Sequence, residues 1–111
     1  MKYMLDTNIC IYAQKGILSV VNKIEKFWQS GLFISTITLA ELKFGVEASA
    51  AYEKNLKNLH SLLAVLDIVD FDSTAAANYG RICAYLRSRG TPIGTMDMLI
   101  SAHALAENMT L

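Results

Sequence analysis

The chain has 111 residues, 53% of them hydrophobic, and its ten basic and ten acidic side chains give a formal net charge of zero. That length suits one domain, and the apolar content, with a mean hydropathy of +0.32, excludes a disordered chain. The charge balance argues against a protein that coats nucleic acid non-specifically, while leaving room for a local basic patch around a small acidic site.

Tyr3-Met4-Leu5 is an apolar run that reads as an inner strand, and Asp6 follows it at once. A carboxylate at the end of a buried strand is costly unless a metal ion, a substrate proton or a basic side chain pairs with it. Residues 7–14 predict a short helix capped by Thr7 or Asn8 and broken by Lys15-Gly16. Residues 18–29 predict a second helix, with Val20, Val21, Ile24, Phe27 and Trp28 on one face and Ser30-Gly31 at its end. A second strand is expected over 32–35.

Thr38-x-x-Glu41 has the form of a capping box and predicts a helix over 38–50. Its apolar stripe is expected to carry Ile37, Ala40, Phe44 and Ala48, with Glu41 lying within it. A helix over 51–65 follows, with Leu56, Leu59 and Leu63 on one side and Glu53 and Lys57 spaced for an ion pair. Residues 66–71 predict a third strand, and Asp72-Ser73 cap a helix over 74–89 that ends at Gly90. After a loop at 91–94, Thr95-Met96-Asp97 open a last helix that runs to Glu107, with Asn108 as its C-cap. Met109-Thr110-Leu111 read as the first residues of a fourth strand. Strands alternating with helices predict an α/β layered fold with a mainly parallel central sheet. The chain stops inside that fourth strand, so the expectation is one domain over 1–111 that lacks a C-terminal part.

No apolar run reaches bilayer length, and residues 1–6 hold too short an apolar stretch for a signal peptide, so the chain reads as cytoplasmic. Cys10 and Cys83 have no close-spaced Cys or His partners for a metal knuckle and are expected to be reduced thiols.

Three acids stand out by position: Asp6 after the first strand, Glu41 in the helix after the second, and Asp97 at the start of the last helix. In an open parallel sheet, strand ends and helix starts converge at the carboxyl edge, where ligands bind. Three carboxylates gathered there repel one another, and a hard divalent cation such as Mg²⁺ or Mn²⁺ relieves that repulsion. Each acid alone also has a structural explanation: Asp6 as a helix cap, Glu41 as the end of a capping box, Asp97 at a helix dipole. Asp67, Asp70 and Asp72 read as strand-edge, turn and cap residues. His103 shares a stripe with Met96, Leu99 and Ile100 and reads as a packed core histidine. Ser35 and Thr36 suit either the same edge or the cap of the helix behind it. Arg81, Arg87, Arg89 and Lys43 are the candidate phosphate contacts.

Three blocks carry a resemblance: Met4-Leu5-Asp6-Thr7-Asn8, the run from Ile34 to Gly45 (ISTITLAELKFG), and that from Pro92 to Ala104 (PIGTMDMLISAHA). Together, in order and spacing along essentially the whole chain, they resemble the PIN-domain ribonucleases, and among those the VapC toxins of bacterial type II toxin–antitoxin pairs. The resemblance implies a parallel-sheet α/β/α sandwich. It implies that Asp6, Glu41 and Asp97 hold Mg²⁺ or Mn²⁺, with Asp6 and Asp97 as direct ligands and Glu41 binding through water or positioning the attacking water. It also implies a fourth acidic or amide residue beyond Leu111, a VapB antitoxin partner, a homodimer, and an RNA substrate, the anticodon loop of initiator tRNA.

The chemistry so implied is metal-assisted phosphodiester hydrolysis, in which no Ser, Cys or His nucleophile is needed. A phosphoacceptor domain is disfavoured: the position two residues after Asp6 is Asn8, no adjacent acid pair precedes Asp6, and no Lys follows Lys57. A PIN-like module that binds RNA or a partner without cutting is the remaining alternative.

Overall fold

The computed structural model describes residues 2–90 and 93–111. Its elements run β1 (Tyr3–Met4), α1 (Thr7–Gln14), α2 (Leu18–Gly31), β2 (Leu32–Ser35), α3 (Thr36–Glu47), α4 (Tyr52–Leu63), β3 (Asp67–Val69), α5 (Ser73–Ser88) and α6 (Thr95–Ala106). The three strands form a parallel sheet in the order β1-β2-β3, with Tyr3 opposite Leu32 and Ile34 opposite Ile68. On the free side of β1, Tyr3 forms a parallel bridge with Thr110. The Met4 N–H donates to the Thr110 carbonyl at 2.8 Å, and the Thr110 N–H to the Lys2 carbonyl at 3.0 Å. The expected fourth strand is thus present as one bridge.

Side chains alternate across the sheet, and this divides the core into two layers. Leu32 and Ile34 join Cys10, Leu42, Val46, Leu59, Leu62 and Leu66 on the face covered by α1 to α4. Met4 points the other way, into a smaller cluster with Ile100 and Ala104 of α6. Burying a side chain such as Ile34, which is fully enclosed, contributes about 1.5–3 kcal/mol. The result is the α/β/α sandwich expected from the sequence. Among the described residues no helix is long and apolar enough to cross a membrane.

Gly31 ends α2 with φ +106°, and a Cβ there would stand 3.0 Å from Phe33 Cε2. Only glycine turns the chain into β2 at that point without strain. Gly90 and Asn108 also take positive φ just past α5 and α6, as expected for residues that close helices. Residues 91 and 92 of the predicted loop lie outside the described residues.

Several sequence expectations are corrected. α3 begins at Thr36, two residues before the capping box, because Ser35 supplies the cap: its Oγ accepts from the Ile37 N–H at 3.0 Å. Thr38 therefore lies inside the helix, and the buried stripe is Thr38, Leu42 and Val46. Phe44 is 72% exposed, and Ala40 and Ala48 also face outward. α1 is capped by Asp6, not by Thr7 or Asn8. β3 is shorter than predicted, and the Glu53–Lys57 pair does not form, an exposed pair gaining little against side-chain entropy. Met96 is half exposed, outside the buried stripe of α6.

Candidate active site

β1 stops where its backbone turns at Asp6 (φ −80°, ψ 170°), one residue after the Leu5 N–H donates to the Phe33 carbonyl at 2.8 Å. Asp6 Oδ1 accepts from the Ile9 N–H at 2.9 Å and so satisfies an orphan donor at the start of α1. This cap frees the hydroxyl of the next residue. Thr7 Oγ1 donates to Glu41 Oε1 at 2.6 Å, a short bond of the kind a carboxylate accepts, and lies 3.4 Å from Oγ1 of the buried Thr38. Thr7 and Glu41 are both half-buried. Thr7 reads in the sequence as a helix cap, and its pairing with Glu41, 34 residues further on, has no local signal.

A second set of contacts fixes the start of α3. Ser35 Oγ, already accepting from Ile37, lies 2.8 Å from Nδ1 of His103, and both residues are fully buried. The contact forms in either tautomer, with Nδ1 accepting from the serine hydroxyl or donating to it. Nε2 has no hydrogen-bond partner and stands 3.9 Å from Glu107 Oε1. The ring also packs edge-on against Phe71, with centroids 5.3 Å apart. His103 is thus the core histidine expected, locking α6 to the carboxyl end of β2. Thr36 Oγ1 accepts from the Phe71 N–H at 3.1 Å and ties the exit of β3 to the same edge.

Asp97 lies in the first turn of α6 and is exposed. Its Oδ2 stands 3.5 Å from where a Gly94 Cβ would be, so the carboxylate reaches back over the N-terminus of its own helix, where the dipole favours it. The structure links Glu41 to the residue beside Asp6. Among the described residues it forms no group of three His, Cys, Asp or Glu side chains close enough to hold a metal ion. A cavity of about 450 Å³ beside β1 has Asp6 and Lys23 on a largely apolar wall. Cys10 is fully buried next to this site, and burial, with the nearby Asp6 charge, pushes its thiol from 9.0 up to about 12. Arg81, Arg87 and Arg89 are exposed on or just after α5, with Arg81 bonded to Asn78 and Arg89 over the Tyr85 ring. Lys43 is exposed on α3. Asp72 caps α5 through the Ala75 N–H at 3.0 Å, as predicted.

A family model described as PIN domain matches residues 3–111. The chain is 43% identical over 113 residues to the ribonuclease VapC2 of Rickettsia felis, taking in all of this chain and 84% of that protein. It is 36% identical over 111 residues to the tRNA(fMet)-specific endonuclease VapC of Shigella flexneri, again across all of this chain and 84% of the relative. Among solved structures it is similar to VapBC2 of Rickettsia felis bound to a DNA fragment from their promoter. There the TM-score is 0.94 at 40% identity, over 98% of this chain and 84% of that one.

Proposed function

The chain belongs to the PIN-domain family, and within it to the VapC ribonucleases, toxins of type II toxin–antitoxin systems; from that premise we propose that it cuts initiator tRNA in the anticodon loop, using Asp6, Glu41 and Asp97. The observation that carries the reading is the 2.6 Å bond from Thr7 to Glu41, which ties one acid to the residue beside another at the carboxyl edge of the sheet. These three side chains offer only carboxylate oxygens, a donor set that fits Mg²⁺ or Mn²⁺. When bound, such an ion polarises a phosphate oxygen and lowers the pKa of water. Asp6 keeps Oδ2 for a ligand while Oδ1 holds α1 in place. Glu41, anchored through Oε1, keeps Oε2 to orient water and accept its proton. Cys10, buried with its thiol at about 12, supplies no nucleophile. Substrate choice rests on the named endonuclease relative and on the general way that unpaired loops are read.

The test is a Mg²⁺-dependent cleavage assay on a total tRNA pool with the cut mapped. The expected result is a cut confined to one anticodon loop, lost in Asp6→Asn and in Asp97→Asn. Asn caps a helix as well as Asp does, so Asp6→Asn should unfold within about 0.5 kcal/mol of the parent. Continued Mg²⁺-dependent cutting by either variant would overturn the assignment of these acids. On the same reading the chain pairs with a VapB-like antitoxin and forms a homodimer; co-purification with the neighbouring gene product and sedimentation of the isolated toxin test the two points.

A further inference from the structure

Glu41 also lines a second recess, away from the cavity beside β1. This recess, about 280 Å³, lies between α1, α3 and α4 and is lined by Gln14, Lys15, Glu41, Gly45, Asn55 and Asn58 over an apolar floor. Its volume is near the lower end of ligand pockets, which run roughly 300–1,000 Å³. It therefore suits one ring system rather than a dinucleotide.

Three features set it apart from an ordinary gap between helices. First, it gathers three carboxamides, and among the described residues no hydrogen bond engages the side chain of Gln14, Asn55 or Asn58. A carboxamide carries two donors and an acceptor on one plane, which matches the edge of a nucleobase. Second, Gly45 sits inside α3, where glycine costs roughly 0.5–1 kcal/mol against alanine. No steric reason demands it: its φ is not positive, and a Cβ there would meet nothing within 4 Å. What glycine does provide is open space at the wall of the recess. Third, Glu41 is shared, so an occupant lies one side chain away from the proposed cutting site. Lys15, exposed at the rim, is a cation suited to a neighbouring phosphate.

We propose that this recess takes one unpaired RNA base next to the cut, with Gln14, Asn55 and Asn58 reading its edge and Gly45 leaving room for the ring. This rests on the ribonuclease reading above, and the two can be separated. The probe is an initiator-tRNA anticodon stem-loop, added in EDTA to ¹⁵N-labelled protein, with the side-chain amide signals of the three carboxamides followed by NMR. A panel of stem-loops with one abasic position each locates the base.

The expected result is that the three amides shift with the intact loop and stop shifting for one abasic position. Gly45→Leu, whose Cβ meets open space and which favours the helix, should fold normally and bind the loop at least tenfold more weakly, with Gly45→Ala weakened to a smaller extent. Amides that ignore the RNA, or that respond equally to every abasic loop, overturn the proposal, as does Gly45→Leu with unchanged affinity. A protein that cuts the loop in Mg²⁺ without moving these amides loses the pocket and keeps the ribonuclease reading. Shifts without any cleavage in Mg²⁺ lose the cutting and keep the pocket.

Discussion

Ser35→Ala removes a single oxygen with two partners, and its cost can be worked from both. The first is the Ile37 N–H at the start of α3, 3.0 Å away. Losing a serine cap costs about 0.5–2 kcal/mol. The second is His103 Nδ1 at 2.8 Å, inside a fully buried pair. A buried polar atom left unpaired costs about 1–3 kcal/mol, and this ring has no spare bond to fall back on, since Nε2 already lacks a partner. Together the change should destabilise the protein by roughly 2–4 kcal/mol, or about 10–20 °C in Tm for a chain of this size. Urea unfolding followed by far-UV circular dichroism measures it. Repeating the substitution in a His103→Leu background should leave only the cap contribution, about 1 kcal/mol, so the cycle should show a coupling of about 1–3 kcal/mol. Equal costs in the two backgrounds, or less than about 1 kcal/mol in the parent, would refute the claim that this hydroxyl joins α3 to α6.

Thr7→Val keeps the shape of the side chain and removes the donor to Glu41; cleavage should fall about tenfold, Tm should fall by about 5 °C, and Thr7→Ser should restore both. Wild-type rates for the valine variant would separate Thr7 from the chemistry. Cys10 makes stability depend on alkaline pH. Its folded thiol is raised from 9.0 to about 12, so above pH 9 the unfolded chain binds fewer protons and stability falls as pH rises toward 12. The slope should reach about 1.4 kcal/mol per pH unit and be absent in Cys10→Ala; parallel slopes for the two proteins would contradict it. Leu42→Ala should cost about 2–5 kcal/mol, whereas Phe44→Ala should stay within about 0.5 kcal/mol, and a reversal would mean that α3 turns its other face to the core.

The Leu42–Phe44 contrast shows where the sequence stops being legible. α3 is apolar nearly all round, so two stripes, one through Ile37, Ala40 and Phe44 and one through Thr38, Leu42 and Val46, fit helical spacing equally well. Which one is buried depends on where the helix starts, and that is decided by Ser35, whose hydroxyl is shared with His103 68 residues away. No local pattern carries that information. α2 and α4 were legible because their apolar and polar faces are distinct, although Trp28, expected on the inner face of α2, is 46% exposed. Asp72 and Gly90 were legible because a cap or a positive φ is a local demand. The acids at 6 and 41 could be selected from topology alone, since strand ends converge at one edge. The Thr7–Glu41 bond could not, because it joins residues 34 apart in the chain.

The register of β1 acts as a ruler. Tyr3 and Leu5 pack into the layer under α1 to α4, Met4 into the layer under α6, and the strand is hydrogen-bonded on both edges, to β2 and to Thr110. A slip of one residue would send every one of these side chains into the wrong layer, and would carry Asp6 about 3.3 Å along the sheet. Misplacement by even 1 Å can cost a reaction about a hundredfold. Both hydrophobic layers therefore vote on the position of one carboxylate, and a packing defect on either side of the sheet reaches it through a single peptide bond.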